Sequence, residues 1–168
     1  MTEQDIKIYN AMNARLAEVL CSLTEPRCSR LKGEGWALFT PIPQPSAGDA
    51  AHIIGALCER VKALGLGFLQ LRSVWRKSAG EQSEVFSLVA FRMAEKDALR
   101  LAAACGQFSV ILKEGADEAC DVKILGDCTA KAEEELSILS VYEVELPRPS
   151  YFRTQPVFIP IFQKKDDV

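Results

Sequence analysis

The order of the predicted elements between residues 36 and 114 restricts the fold of this chain more than any other feature of its sequence. WALF is a short apolar run, and a helical stripe ending at Gly65 follows it. GFLQLRSVWRK and EVFSLVAFR flank the turn KSAGEQS, which predicts a hairpin. An alanine-rich helix then ends at Gly106, and FSVILKE follows as a strand. This is the ferredoxin-like βαββαβ order, which predicts an antiparallel sheet with two helices on one face.

Both flanking segments extend this core. A stripe at helical spacing predicts a helix within residues 1–23, and ELSILSVYEVEL alternates as a long strand does. Pro160 interrupts VFIPIF and places that run at a sheet edge or in an extended arm, because proline cannot donate to a ladder. We therefore predict a single α+β domain, residues 1–168. It comprises an N-terminal helix (1–23), a ferredoxin-like core (36–114) and a C-terminal strand and arm (115–168).

Composition narrows the class of protein. Hydrophobic residues make up 48% of the 168 residues and the formal net charge is -3, which disfavours a disordered or strongly basic nucleic-acid-binding chain. MTEQDIKIYN lacks the basic and apolar segments of a secretory signal, so we expect a cytoplasmic protein without a membrane partner. The six cysteines are expected to be free thiols, because disulfides are rare in cytoplasmic proteins. Their spacing also fits no zinc site. No sequence motif indicates a metal or another cofactor.

A group of short motifs resembles a known family. FTPIP, a helix closing on ALG, a strand ending in VW, EVFSLV and a helix running into GQFSVI together resemble small, uncharacterised bacterial and phage proteins of ferredoxin-like plan. The resemblance covers Ala37 to Leu112. It implies that Thr40, Glu84 and Gln107 occupy the recurring polar positions of that family. The chain departs from the pattern at SAGD, where a helix start with asparagine is more usual.

These polar residues form the first candidate site. Glu84 and Gln107 come at the beginnings of two predicted strands, so they could line one end of the sheet and bind a small polar ligand or substrate. The alternative is that Gln107 satisfies backbone groups at the turn between helix and strand. That alternative is favoured, and it predicts that Gln107→Ala lowers the melting temperature.

A second candidate site concerns nucleic acids. RNA-recognition modules share the βαββαβ order and stack bases on exposed aromatic side chains. Arg72, Trp75 and Arg76 form a small basic and aromatic group on one predicted strand. Core packing is the commoner fate of such aromatic residues, so nucleic acid is the less favoured partner.

The C-terminal tail indicates a third surface. Four aromatic residues lie among its prolines: Tyr151, Phe152, Phe158 and Phe162. They place a large apolar area on a stiff, extended segment, which can pack on the chain's own core or on a partner. His52 is the only histidine, and no catalytic set surrounds it in the sequence. We therefore expect a non-enzymatic regulatory or inhibitory protein of phage or mobile-element origin, which binds another protein or itself.

Overall fold

The computed structural model describes residues 3–23, 29–41, 47–77, 80–104, 107, 109–115, 122–126, 136–145 and 157–163. The described elements are α1 (Glu3–Ser22), α2 (Ser29–Gly33), β1 (Trp36–Phe39), α3 (Ala47–Ala63), β2 (Phe68–Lys77), β3 (Gln82–Phe91), α4 (Glu95–Ala104), β4 (Ser109–Lys113), β5 (Val122–Gly126), β6 (Leu136–Glu145) and β7 (Val157–Gln163). The predicted α+β class is confirmed.

One seven-stranded sheet contains every described strand, in the order β5-β4-β1-β3-β2-β6-β7. All six neighbouring pairs are antiparallel. β2 and β3 form the predicted hairpin, in which Phe68 lies opposite Ala90 and Arg76 opposite Gln82. The strands of the C-terminal segment are added at both sides, with β5 next to β4 and β6 next to β2. β7 ends the sheet beyond β6, as the position of Pro160 predicts.

Each face of the sheet carries a separate apolar layer. On one face, buried α1 residues such as Leu16 and Leu20 pack with Trp36, Trp75 and Phe91, and we call this cluster the α1 layer. On the other face, α3 and α4 cover residues that alternate with those of the α1 layer: Ala37, Phe39, Leu88, Ala90, Val110 and Leu112. Because side chains alternate along a strand, both faces of the central strands are apolar, and these strands are buried between two helical layers.

The segment before β1 contains a short helix as well as a connecting loop. The sequence between residues 24 and 35 predicts a loop, whereas α2 forms at Ser29–Gly33. Leu31 is buried, and its carbonyl oxygen accepts a hydrogen bond from Trp36 Nε1 at 2.8 Å. Packing of Leu31 and this bond together stabilise a helical turn that the proline- and glycine-containing sequence around it does not predict.

None of the helices that the structure describes is both long enough and apolar enough to pass through a lipid bilayer.

Candidate functional site

A buried polar cluster lies where β1 ends. It consists of Asn13 from α1, Thr40 directly after β1, Ser87 from β3 and Gln107 before β4, and we call these four residues the polar cluster. Each of the four side chains belongs to a residue that is at most 7% exposed. The cluster therefore connects an outer helix to three strands inside a solvent-excluded region.

The hydrogen bonds of the polar cluster have a defined direction. Thr40 Oγ1 donates to Asn13 Oδ1 at 2.8 Å, and Asn13 Nδ2 donates to the carbonyl oxygen of Leu38 at 3.4 Å. A hydroxyl has one hydrogen, so the 2.9 Å bond between Thr40 Oγ1 and Ser87 Oγ is donated by Ser87. The donated hydrogen bonds thus lead from Ser87 to Thr40, from Thr40 to Asn13 of α1, and from Asn13 back to the Leu38 carbonyl oxygen in β1.

Gln107 joins this cluster to the end of α4. Its backbone N–H donates to the carbonyl oxygen of Ala102 at 2.9 Å, and its side-chain Oε1 accepts the backbone N–H of Thr40 at 2.9 Å. The residue therefore serves two backbone segments at once. This agrees with the favoured sequence interpretation, in which Gln107 satisfies backbone groups, although the group that its side chain binds belongs to the residue directly after β1.

The chemistry available to the polar cluster is limited. All four side chains are neutral amides or hydroxyls, and no described histidine, lysine or carboxylate is hydrogen-bonded to the two hydroxyl groups as an activating base. Hydrogen bonds within the cluster use the polar groups that a ligand would need. The arrangement supports a positioning role for these residues in the fold.

Glu84 lies apart from Thr40 and Gln107. It forms a cross-strand ion pair with Arg72 of β2, and its side chain is on the α3 face of β3, whereas Ser87 is on the opposite face. Two of the three residues predicted for a ligand site are thus in contact and the third is not. Asn13 and Ser87, which complete the cluster, were not predicted. The sequence feature that could have identified them is a polar residue within an otherwise apolar helical stripe or strand.

The basic and aromatic group on β2 is divided between the two faces of the sheet. Trp75 is 1% exposed, belongs to the α1 layer and donates from Nε1 to Ser73 Oγ at 2.8 Å. Arg72 is on the other face, where its guanidinium lies 5.4 Å from the centre of the Tyr142 ring. Arg76 is exposed. Base stacking on Trp75 would require this buried ring to leave the α1 layer.

The aromatic tail is described in part. Phe158 and Phe162 belong to β7, where their register partners in β6 are Val144 and Val141. Pro160 is exposed and lies opposite Tyr142, next to a shift in register. Tyr151 and Phe152 lie outside the described residues. Among the strands that the structure describes, β7 pairs with β6 alone.

Two cysteines belong to the described residues, and they differ in state. Cys58 is a buried free thiol that accepts a 2.8 Å hydrogen bond from Gln70 Nε2, and burial raises its pKa. A raised pKa keeps the thiol protonated and weakly nucleophilic. Cys21 is disulfide-bonded, and its partner lies outside the described residues. The expectation that every cysteine is a free thiol is therefore wrong for Cys21.

Metal ligation has no basis in the part of the chain that the structure describes, where no three His, Cys, Asp or Glu side chains come together as ligands would. No protein-family model matches this chain, and no curated protein or solved structure is significantly similar to it. Its function is therefore inferred from its own residues.

Proposed function

We propose that this chain is a non-enzymatic protein-binding protein, with a regulatory or inhibitory role and of phage or mobile-element origin. It docks on an extended segment of another protein chain, either a different protein or a second copy of itself. The carrying observation is the position of β7, which ends the sheet and pairs only with β6 among the described strands. A strand paired on one side offers a row of free backbone donors and acceptors to a further strand.

The remaining geometry is consistent with this proposal. The order β4-β1-β3-β2 of the four central strands supports the ferredoxin-like plan, in which the C-terminal segment is an addition that supplies both sheet edges. Pro160 removes one backbone donor from β7. An extended partner segment suits the open side of this strand, while the proline limits indiscriminate aggregation.

Peptide selection on the immobilised full-length chain tests this function. Strand addition predicts that selected extended peptides slow amide hydrogen exchange in residues 157–163 and leave exchange in α3 unchanged. A chain shortened before Pro147, whose folding is checked by circular dichroism, should lose these peptides. The proposal is wrong if no peptide is selected, if the peptides protect other segments only, or if the folded, shortened chain binds them equally well.

A further inference from the structure

A groove lies between the two helices on the α3 face of the sheet. Its volume is about 290 Å³, and most of the described residues that line it belong to α3. These described residues are His52, Ile53, Ala56, Leu57, Arg60 and Ala104. Alanine at positions 56 and 104 leaves the space that larger side chains would fill. The volume is at the lower end for ligand pockets, so it fits a ligand smaller than most drug molecules.

Two polar side chains stand along one side of this groove. His52, Ala56 and Arg60 are spaced by four residues, which places them on one face of α3 with His52 and Arg60 roughly 12 Å apart along the axis. Both polar residues are exposed. The imidazole has an N–H donor in either protonation state, and the guanidinium of Arg60 has five.

The guanidinium of Arg60 has no partner among the residues that the structure describes. It forms no ion pair or side-chain hydrogen bond with any described residue. Lys62, two positions later, pairs with Glu59 at 3.3 Å, and Arg15, Arg30, Arg72 and Arg92 each pair with a carboxylate. A free guanidinium beside an apolar groove is complementary to a ligand that has an anionic head and an apolar body.

We propose that the α3–α4 groove binds a small monocarboxylate with an apolar body. The carboxylate accepts hydrogen bonds from the Arg60 guanidinium, which matches its planar geometry. The body lies over Ile53, Ala56 and Leu57, and leaves water as it does so. His52 stands at the other end of the groove, where its N–H serves a second polar group when the ligand carries one. This site is separate from β7, and it does not depend on the protein-binding function.

Titration of the labelled full-length chain with octanoate tests the site by NMR. Saturable shifts are expected in the amides of residues 52–60 and of Ala104. Octanol and octylammonium serve as probes of equal length without the negative charge. Both should bind about tenfold more weakly or worse, because a charge-assisted hydrogen bond is lost.

Matched variants locate the interaction. Arg60→Gln should weaken octanoate binding about tenfold, and Ala56→Phe should abolish it by filling the groove. Lys62→Gln removes a cation from the same helix outside the groove, and should leave binding unchanged. Melting temperatures confirm that each variant is folded. The proposal fails if octanoate gives no saturable shifts, if octanol binds equally well, or if Lys62→Gln weakens binding as much as Arg60→Gln does.

Discussion

Gln107 makes the longest-range side-chain bond in the polar cluster, to a backbone N–H that is 67 positions away in the chain. Gln107→Ala leaves the N–H of Thr40 buried without this acceptor. We expect a loss of about 1–3 kcal/mol in the free energy of unfolding, which is the cost of a buried unsatisfied donor. Urea denaturation measures it. Gln82→Ala, at an exposed position of β3, should change stability by no more than about 0.5 kcal/mol. Equal stability of Gln107→Ala and the parent chain would show that the bond contributes nothing.

Gly35 is required by the close approach of two backbone segments. A Cβ atom at this position would lie 2.9 Å from the backbone N of Gly115 and 2.9 Å from the carbonyl oxygen of Lys113. Since backbone atoms cannot move aside as a flexible side chain does, Gly35→Ala should destabilise the fold by about 1–3 kcal/mol.

Gly55→Ala is the matched control, because the same added methyl meets nothing within 4 Å there. Position 55 lies inside α3, where alanine is preferred to glycine by about 1 kcal/mol. Thermal unfolding should therefore shift in opposite directions for the two variants. A shift in the same direction would contradict the packing argument at Gly35.

Single residues could be predicted where one local pattern decided them. Gln107 was predicted from its position at a helix–strand turn and Thr40 from the family resemblance, and the structure places the two in contact. Asn13 and Ser87 were not selected, because their bonding partners come from elements that are distant in the sequence. Lys113 was missed for the same reason: its buried Nζ donates to the carbonyl oxygens of Lys32, Glu34 and Gly115 at 2.8–2.9 Å.

At the scale of elements, Glu34 links α2 to the end of β3. Its carboxylate accepts hydrogen bonds from Arg30, one turn earlier, and from Arg92 at 2.6 Å. Arg30 also packs its guanidinium 3.9 Å from the centre of the Phe91 ring. The hydrogen bond from Arg30, with the charges of Arg30 and Arg92, holds the pKa of Glu34 below its usual value even though desolvation opposes this. The ionised carboxylate therefore stabilises the folded state.

The lowered pKa of Glu34 makes the stability of the folded chain depend on pH. Because the pKa is lowered in the folded chain, the contribution is complete above the unfolded value of about 4.3 and is lost as the pH falls through the folded value. Glu34→Gln should lower the melting temperature at pH 7, and the difference from the parent chain should narrow as the pH falls below about 4.3. Glu81→Gln, at an exposed position before β3, should show neither effect. A difference that does not narrow as the pH is lowered would show that packing, not charge, explains it.

Elements were predicted more completely than their arrangement. The apolar stripe of α1 follows from residue spacing, but the sheet face that it covers does not, since that choice depends on which strand residues remain uncovered by α3 and α4. β6 was predicted as a strand, whereas its pairing with β2 depends on contacts between residues that are 59 (Lys77 and Leu136) to 72 (Leu71 and Glu143) positions apart. A local pattern contains no information about such a pairing.

At the scale of the whole molecule, the sheet is protected unevenly. Among the described strands, β1 and β3 have a strand on each side and a helical layer on each face, while β5 and β7 have one neighbouring strand each. The free energy of local opening is lowest where few contacts must break. We therefore expect the amide hydrogens of β7 to exchange fastest among the strands, together with those of β5, and those of β1 and β3 to exchange slowest. Mass spectrometry of the dilute full-length chain measures this order.

The dependence of hydrogen exchange on protein concentration distinguishes two partners of β7, a second copy of the chain and a different protein. If a second copy pairs with β7, exchange in residues 157–163 should slow as concentration rises, while exchange in β5 and α3 stays constant. If the partner is a different protein, β7 should exchange rapidly at every concentration until an extended peptide is added. Slow exchange of β7 in the dilute chain, equal to that of β3, would contradict its position at the sheet edge, because a strand with one free side cannot match a doubly paired one without a further covering segment.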